Sequence, residues 1–148
     1  MESNKKIGID VGGSHVTVSV FENNSAEKQS QVVIRKEINS KENPLAIISD
    51  IGSCITEVLI GGTTVDAVGI AFPGPFNYEK GVSEIIGVGG KFEQTFGVHV
   101  QQALKNFTGL VDTPFVFSIF AHCFAEGAYF RHHLKRKRTV FLTLGTGF

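Results

Sequence analysis

The stretch KKIGIDVGGSHVTVSVFE, residues 5–22, predicts two β-strands joined by a glycine turn. The first strand covers residues 6–10, the turn residues 11–14 and the second strand residues 15–21. In the second strand Val16, Val18 and Val20 alternate with other side chains, a pattern typical of a strand with one buried face. The stretch therefore predicts an antiparallel hairpin with its valines on one side.

A carboxylate and two glycines meet at the end of the first strand. Asp10 closes the strand, and Gly12, Gly13 and Ser14 follow. Glycine has no Cβ to hold a ligand away, and successive backbone N–H groups in such a turn suit an anion. Asp10 would repel phosphate unless it holds Mg²⁺, directly or through water, because Mg²⁺ bridges to phosphates. These residues predict a metal–phosphate corner, although a simple hairpin turn gives the same glycine pattern.

The end of the chain has a second strand-to-glycine-turn pattern. The stretch TVFLTLGTGF, residues 139–148, predicts a strand that runs into a second turn containing Gly145, Thr146 and Gly147. Two strand-to-glycine turns at opposite ends of one chain would grip a polyphosphate from two sides.

Between the two turns, strand and helix patterns alternate. A third strand completes a three-stranded antiparallel unit. A helix follows, with Asn43 as its cap and Pro44 suited to its first position, and it leads to a nearly continuous apolar run that ends in Pro73-Gly74-Pro75. Such a run suits a buried parallel strand, reached by a right-handed crossover. The predicted elements are strand 28–38, helix 45–60, strand 65–72, loop 81–90, a broken helical pattern over 92–107, strand 114–118 and helix 119–133.

Length and composition predict one neutral globular domain. The chain has 148 residues and no formal net charge, so nothing draws it towards nucleic acid or a membrane surface. Cys54 and Cys123 lie in apolar helical patterns and are expected to be buried free thiols. The basic run at residues 131–138 is interpreted as a helix end and a solvated loop, since the chain has no DNA-binding motif. With neither a signal peptide nor a membrane-spanning run, the cytoplasm is the expected compartment.

Three stretches in order, DVGGSH, AVGIAFPGPFNYEKGV and LTLGTG, resemble the ROK family (repressor, open reading frame, kinase). That family belongs to the sugar kinases with the actin-like ATPase fold. The resemblance implies an α/β lobe of the ribonuclease-H-like type: three antiparallel strands, then parallel strands, with helices on both faces. It implies binding of ATP, Mg²⁺ and a sugar, with Asp10 on the metal and both glycine turns on the phosphates. Gly74 and Pro75 would lie at the sugar, and the 81–90 loop would either line the sugar site or be a mobile surface loop.

The resemblance fails at the catalytic position. The family has Asn-Asp at the start of the last predicted helix, where the Asp takes the proton from the sugar hydroxyl. Here Ile119 and Phe120 occupy these positions, and Gly127 falls on a later glycine of the family pattern. Neither side chain accepts a proton, and Glu126 is a weak substitute. The expected function is thus the ATP- and sugar-binding lobe of a catalytically degenerate sugar kinase; the alternative is a non-catalytic, regulatory binding protein.

The resemblance also bears on the extent of the chain. Kinases of this family continue for about as long again, with a cysteine-rich zinc motif that this chain lacks. Residues 1–138 are expected to be the N-terminal lobe, and residues 139–148 the start of a truncated second lobe. A strand through Val140, Leu142 and Leu144 would then present an unpaired edge, which predicts self-association into a homo-oligomer.

Overall fold

The computed structural model describes residues 5–22, 30–134 and 138–143. Strands and helices within them follow the predicted order, with boundaries that differ by a few residues. The elements are β1 (Lys5–Val11), β2 (His15–Glu22), β3 (Ser30–Glu37), α1 (Pro44–Val58), β4 (Ala67–Ala71), β5 (Phe76–Asn77), β6 (Val82–Ser83), a 3₁₀ turn (Glu93–Thr95), α2 (Val100–Thr108), β7 (Phe115–Ser118) and α3 (Phe120–Arg131).

The main sheet has five strands in the order β3-β2-β1-β4-β7. Strands β1, β2 and β3 are antiparallel neighbours, whereas β4 pairs parallel with β1 and β7 pairs parallel with β4. The predicted α/β class and the predicted change from antiparallel to parallel pairing are confirmed. Strands β5 and β6 form a separate two-stranded hairpin, so part of the segment predicted as a flexible loop is a short strand.

One face of the sheet is buried under α1 and α2. The valines of β2 are almost fully buried, as their alternation predicted. Helix α1 begins as expected, because the Asn43 side chain accepts a hydrogen bond from the Ala46 N–H and Pro44 occupies the first turn. Leu45, the second residue of α1, is apolar but 83% exposed. It lies in the first turn, before the helix reaches the core.

The opposite face of the sheet is more open. Val33 of β3 and Val116 of β7 are each 62% exposed there. The sequence predicted helices on both faces; among the described residues, α1 and α2 cover one face and α3 has no buried residue. Cys54 in α1 is buried as expected, but Cys123 in α3 is only half-buried because the helix around it is exposed.

The end of the described chain does not form the predicted strand. Residues 138–143 have no regular structure, and Val140 and Leu142 are exposed. Leu144 and the residues after it lie outside the described ranges, so the proposed strand edge rests on the sequence alone. No described helix is long and apolar enough to cross a lipid bilayer.

Helices α1 and α2 pack closely at one glycine. A Cβ built on Gly52 of α1 would lie 2.3 Å from the Phe107 Cδ1 atom of α2. The helix–helix distance therefore depends on the missing side chain.

We expect Gly52→Ala to lower the free energy of unfolding by about 1–3 kcal/mol, because the methyl group overpacks the interface. Gly127→Ala in α3 is the matched control, since nothing lies within 4 Å of its built Cβ. It should be neutral or raise stability by roughly 0.5–1 kcal/mol, as usual for glycine in a helix interior. Urea unfolding of both variants checks this, and equal stability of the two would contradict the close contact.

Candidate functional site

The parallel strands bring three predicted site segments to one edge of the sheet. Asp10 pairs with Ala71, and Ala71 pairs with Ser118, so the three residues form one row across β1, β4 and β7. Just beyond that row, the Phe72 N–H donates to the Ser118 carbonyl at 3.0 Å. The glycine turn, the Pro73–Pro75 turn and the start of α3 all leave from this edge. Open α/β sheets generally bind ligands at the carboxyl ends of their strands.

The backbone N–H groups of the two glycines in the turn are used differently. The Gly12 N–H donates to the His15 carbonyl at 2.8 Å, so it closes the hairpin instead of facing a ligand. The N–H groups of Gly13 and Ser14 have no protein acceptor within the described ranges. The Gly13 carbonyl accepts a 2.6 Å hydrogen bond from the Ser40 hydroxyl, which fixes the turn from the side. The arrangement leaves Gly13 and Ser14 as the donors that an anion would meet.

Asp10 is a partly exposed carboxylate near the end of β1. Partial burial raises the pKa of Asp10, and the positive charge of Arg35, two strands away, opposes the rise. The described residues contain no cluster of three or more side chains arranged to hold a metal. Mg²⁺ at Asp10 would therefore take its other ligands from water and phosphate oxygens, as Mg²⁺ commonly does. Asp10 and the open turn amides beside it fit that arrangement.

Buried aromatic side chains pack beside the Pro73–Pro75 turn. Phe72 is fully buried, with ring centroids 4.7 Å from Phe76 and 5.6 Å from Phe92. The Tyr78 hydroxyl donates to the Phe72 carbonyl at 3.1 Å and lies 3.1 Å from where a Cβ of Gly74 would be. A side chain at position 74 would thus crowd the tyrosine. Burial raises the pKa of Tyr78, so its hydroxyl stays protonated and can donate at neutral pH.

Ile119 and Phe120, which the resemblance assigns to the family's Asn-Asp position, are both exposed. Ile119 is the N-cap of α3 and Phe120 its first residue, with 47% and 52% of their surfaces exposed. These apolar side chains therefore do not fill the space of the lost carboxylate and do not stabilise the lobe by full burial. The Phe120 ring lies 6.5 Å, between ring centroids, from Phe124 of its own helix.

A histidine that the sequence analysis passed over lies one turn into α3. Ser118 Oγ is 3.1 Å from His122 Nδ1, and Glu126 Oε1 is 3.5 Å from His122 Nε2. Ser118 is the last residue of β7, whereas His122 and Glu126 lie four apart on α3, and that spacing was the available signal for their contact. Glu126 is therefore paired with His122, and its role as a substitute base stays a hypothesis. The second glycine turn, with Gly145, Thr146 and Gly147, lies outside the described residues.

Comparison with known proteins settles the family. The ROK family profile matches residues 6–148, nearly the whole chain. The chain belongs to the ROK family. No curated protein matches the sequence.

Solved structures of ROK proteins share the fold of this chain. A ROK hexokinase from Thermus thermophilus matches with a TM-score of 0.67 and 19% identity over 84% of this chain and 38% of its own. A ROK glucokinase from Streptomyces griseus, in complex with glucose and AMPPNP, matches with a TM-score of 0.59 and 19% identity. The match covers 84% of this chain and 36% of the glucokinase chain. A ROK transcriptional regulator, a homologue of the E. coli MLC protein, matches with a TM-score of 0.66 and 13% identity. The match covers 85% of this chain and 30% of the regulator chain. The chain thus has the fold of the actin-like ROK kinase lobe and spans less than half the length of these relatives.

The raised pKa of Asp10 predicts how its removal affects stability. The Asp10 carboxyl ionises at lower pH in the unfolded chain than in the folded one. Raising the pH therefore lowers the free energy of unfolding, an effect that a neutral side chain at position 10 would not have. We expect Asp10→Asn to melt higher than the unaltered chain at pH 7 and to lose this advantage in acid, where the carboxyl is protonated in both the folded and the unfolded chain. Melting curves from about pH 2.5 to 7.5 check this, with exposed Asp112→Asn as the control. If the melting temperature of Asp10→Asn exceeded that of the unaltered chain by more in acid than at pH 7, the raised pKa of Asp10 would be contradicted.

The exposure of Phe120 predicts that a carboxylate is tolerated there. We expect Phe120→Asp to change the free energy of unfolding by no more than about 0.5 kcal/mol, the usual range for surface substitutions. The new charge also lies at a helix N-terminus, where an acid is favourable. The buried neighbour Phe117→Ala should cost about 3–5 kcal/mol. A Phe120→Asp variant as unstable as Phe117→Ala would show that Phe120 is buried after all.

Proposed function

We propose that this chain is the nucleotide- and sugar-binding N-terminal lobe of a ROK-type sugar kinase. The reaction of such kinases is transfer of the γ-phosphoryl group to a sugar hydroxyl, in which positioning and charge neutralisation do most of the catalytic work. The observation that carries the proposal is the row of Asp10, Ala71 and Ser118, which gathers the glycine turn, the Pro73–Pro75 turn and the start of α3 at one edge. Membership of the ROK family supports it.

Each part of this edge has a proposed role. The N–H groups of Gly13 and Ser14 would donate to phosphate oxygens, and Gly12 allows the turn that presents them. Gly145, Thr146 and Gly147 would meet the phosphates from the other side. Gly74 and Pro75 would lie against the sugar. Asp10 would hold Mg²⁺, which when bound supplies neutralisation of the phosphate charge.

The site is proposed to be catalytically degenerate. Phe120 cannot accept a proton from a sugar hydroxyl, and general-base catalysis is typically worth about 10²–10⁴ in rate. This loss favours, as a second candidate, a regulatory protein that binds nucleotide or sugar without turnover. The fold match to a ROK transcriptional regulator supports that second candidate. Binding separates both candidates from a fragment that only folds, and any sugar-dependent turnover would exclude the regulatory candidate.

Titration calorimetry of the chain with ADP, with and without Mg²⁺, tests the proposed site. We expect saturable binding that Mg²⁺ strengthens, and Asp10→Asn should remove the Mg²⁺ effect because it removes the metal-binding carboxylate. Asp112→Asn, in an exposed loop, is the charge-matched control. Absence of ADP binding under both conditions would overturn the proposal.

The chain alone should show no sugar kinase activity. We expect no sugar-dependent ADP production from ATP and Mg²⁺ with glucose, mannose or N-acetylhexosamines, because the family's carboxylate base is replaced by Phe120. A coupled assay that records ADP release measures this, with a sugar-free reaction as the background. Saturable, sugar-dependent turnover by the purified chain would refute catalytic degeneracy and leave the active kinase as the function.

A further inference from the structure

Lys91 lies over the glycine turn. A Cβ built on Gly13 would be 3.3 Å from Lys91 Cδ and 3.5 Å from Lys91 Nζ, and the Lys91 side chain is exposed to solvent. The lysine approaches from a segment far along the sequence from the turn. A motif search does not find it, since Lys91 belongs to no phosphate-loop pattern with the glycines that precede it.

The backbone that carries Lys91 is fixed to the same turn. The next residue, Phe92, is 1% exposed and has a φ of 56°, a left-handed conformation that is uncommon for a bulky side chain. Its N–H donates to the Ser40 carbonyl at 2.6 Å, while the Ser40 hydroxyl donates to the Gly13 carbonyl at 2.6 Å. Ser40 is itself buried. Position 91 and the glycine turn are therefore joined through one residue.

The glycines before Lys91 are fixed as well. The Glu93 carboxylate accepts hydrogen bonds from the Val88 N–H at 2.7 Å and from the Gly90 N–H at 3.0 Å. A Cβ built on Gly90 would lie 3.6 Å from Cε of Lys41, so the Lys41 side chain covers this segment from outside. The segment from Val88 to Glu93 thus has an ordered shape that directs Lys91 to Gly13.

We propose that Lys91 is a phosphate-binding residue of this corner and takes the terminal phosphates of a nucleoside polyphosphate. This assignment rests on the proposed function. An anion at Gly13 and Ser14 lies near the negative charge of Asp10, so a cation at the same turn offsets the repulsion. Lysine suits this role as a flexible point charge with three donors. The corner should therefore retain affinity for a polyphosphate without metal, and Lys91 should carry that metal-independent part.

The test is ADP binding by titration calorimetry, in Mg²⁺ and in excess EDTA. Lys91→Met should weaken ADP binding about 10- to 100-fold in EDTA, the effect of losing one hydrogen bond to a charged group. Lys91→Arg should keep most of the affinity. Lys80→Met, at an exposed position on the β5–β6 hairpin, is the control and should bind like the unaltered chain. Asp10→Asn should act in the opposite sense and strengthen binding in EDTA, because it removes the repelling charge.

Two outcomes overturn the assignment, and they differ. If the unaltered chain binds no ADP in either condition, the proposed function fails and the assignment fails with it. If the unaltered chain binds ADP but Lys91→Met binds equally well in EDTA, the proposed function stands and the role of Lys91 is wrong. Melting curves of the Lys91 variants should match the unaltered chain, so a loss of affinity is not a loss of folded protein.

Discussion

The parallel pairing of β1 with β4 is the constraint on which the rest of the structure depends. It places the end of the opening hairpin beside the end of the buried strand, and β7 continues the same row. Had the hairpin been followed only by antiparallel strands, Asp10 and the Pro73–Pro75 turn would lie at opposite edges. The helix α1 makes this pairing possible, because a parallel neighbour needs a crossover connection. The two turns and the start of α3 therefore leave the sheet at the same end, where the proposed site lies.

Local patterns predicted the elements well because their causes are local. The alternating valines of β2 and the Asn43-Pro44 helix start depend on residues only a few positions apart. The metal–phosphate corner at Asp10 was also inferred from contiguous residues, the carboxylate and the glycines, and it stays a prediction. The approach of Lys91 to Gly13 could not be predicted in this way. It depends on a hydrogen bond from Phe92 to Ser40, and no spacing in the sequence reports which distant loops meet.

Hydrophobic residues misled the prediction where the described chain provides no cover. Phe120 and Phe124 have helical spacing in α3, and both are exposed. Periodicity tells which residues share a face of a helix, but it does not tell whether another element packs on that face. In α1 that element exists, because α2 and the sheet enclose its apolar side. In α3 the described residues supply none, so the same kind of pattern leads to a different outcome.

The link through Ser40 has a consequence for how ROK sequences vary. The hydrogen bond from the Phe92 N–H to the Ser40 carbonyl joins two backbone groups, so it does not depend on which side chain is at position 40 as long as the backbone keeps its position. The side-chain half of the link needs a hydroxyl on a short side chain to reach the Gly13 carbonyl. Relatives that keep both the glycine turn and a cation at the position of Lys91 should therefore accept only serine or threonine at position 40. Relatives that no longer bind an anion at this turn should vary at positions 13, 40 and 91 together. Correlated substitutions at these positions would then indicate that anion binding has been lost.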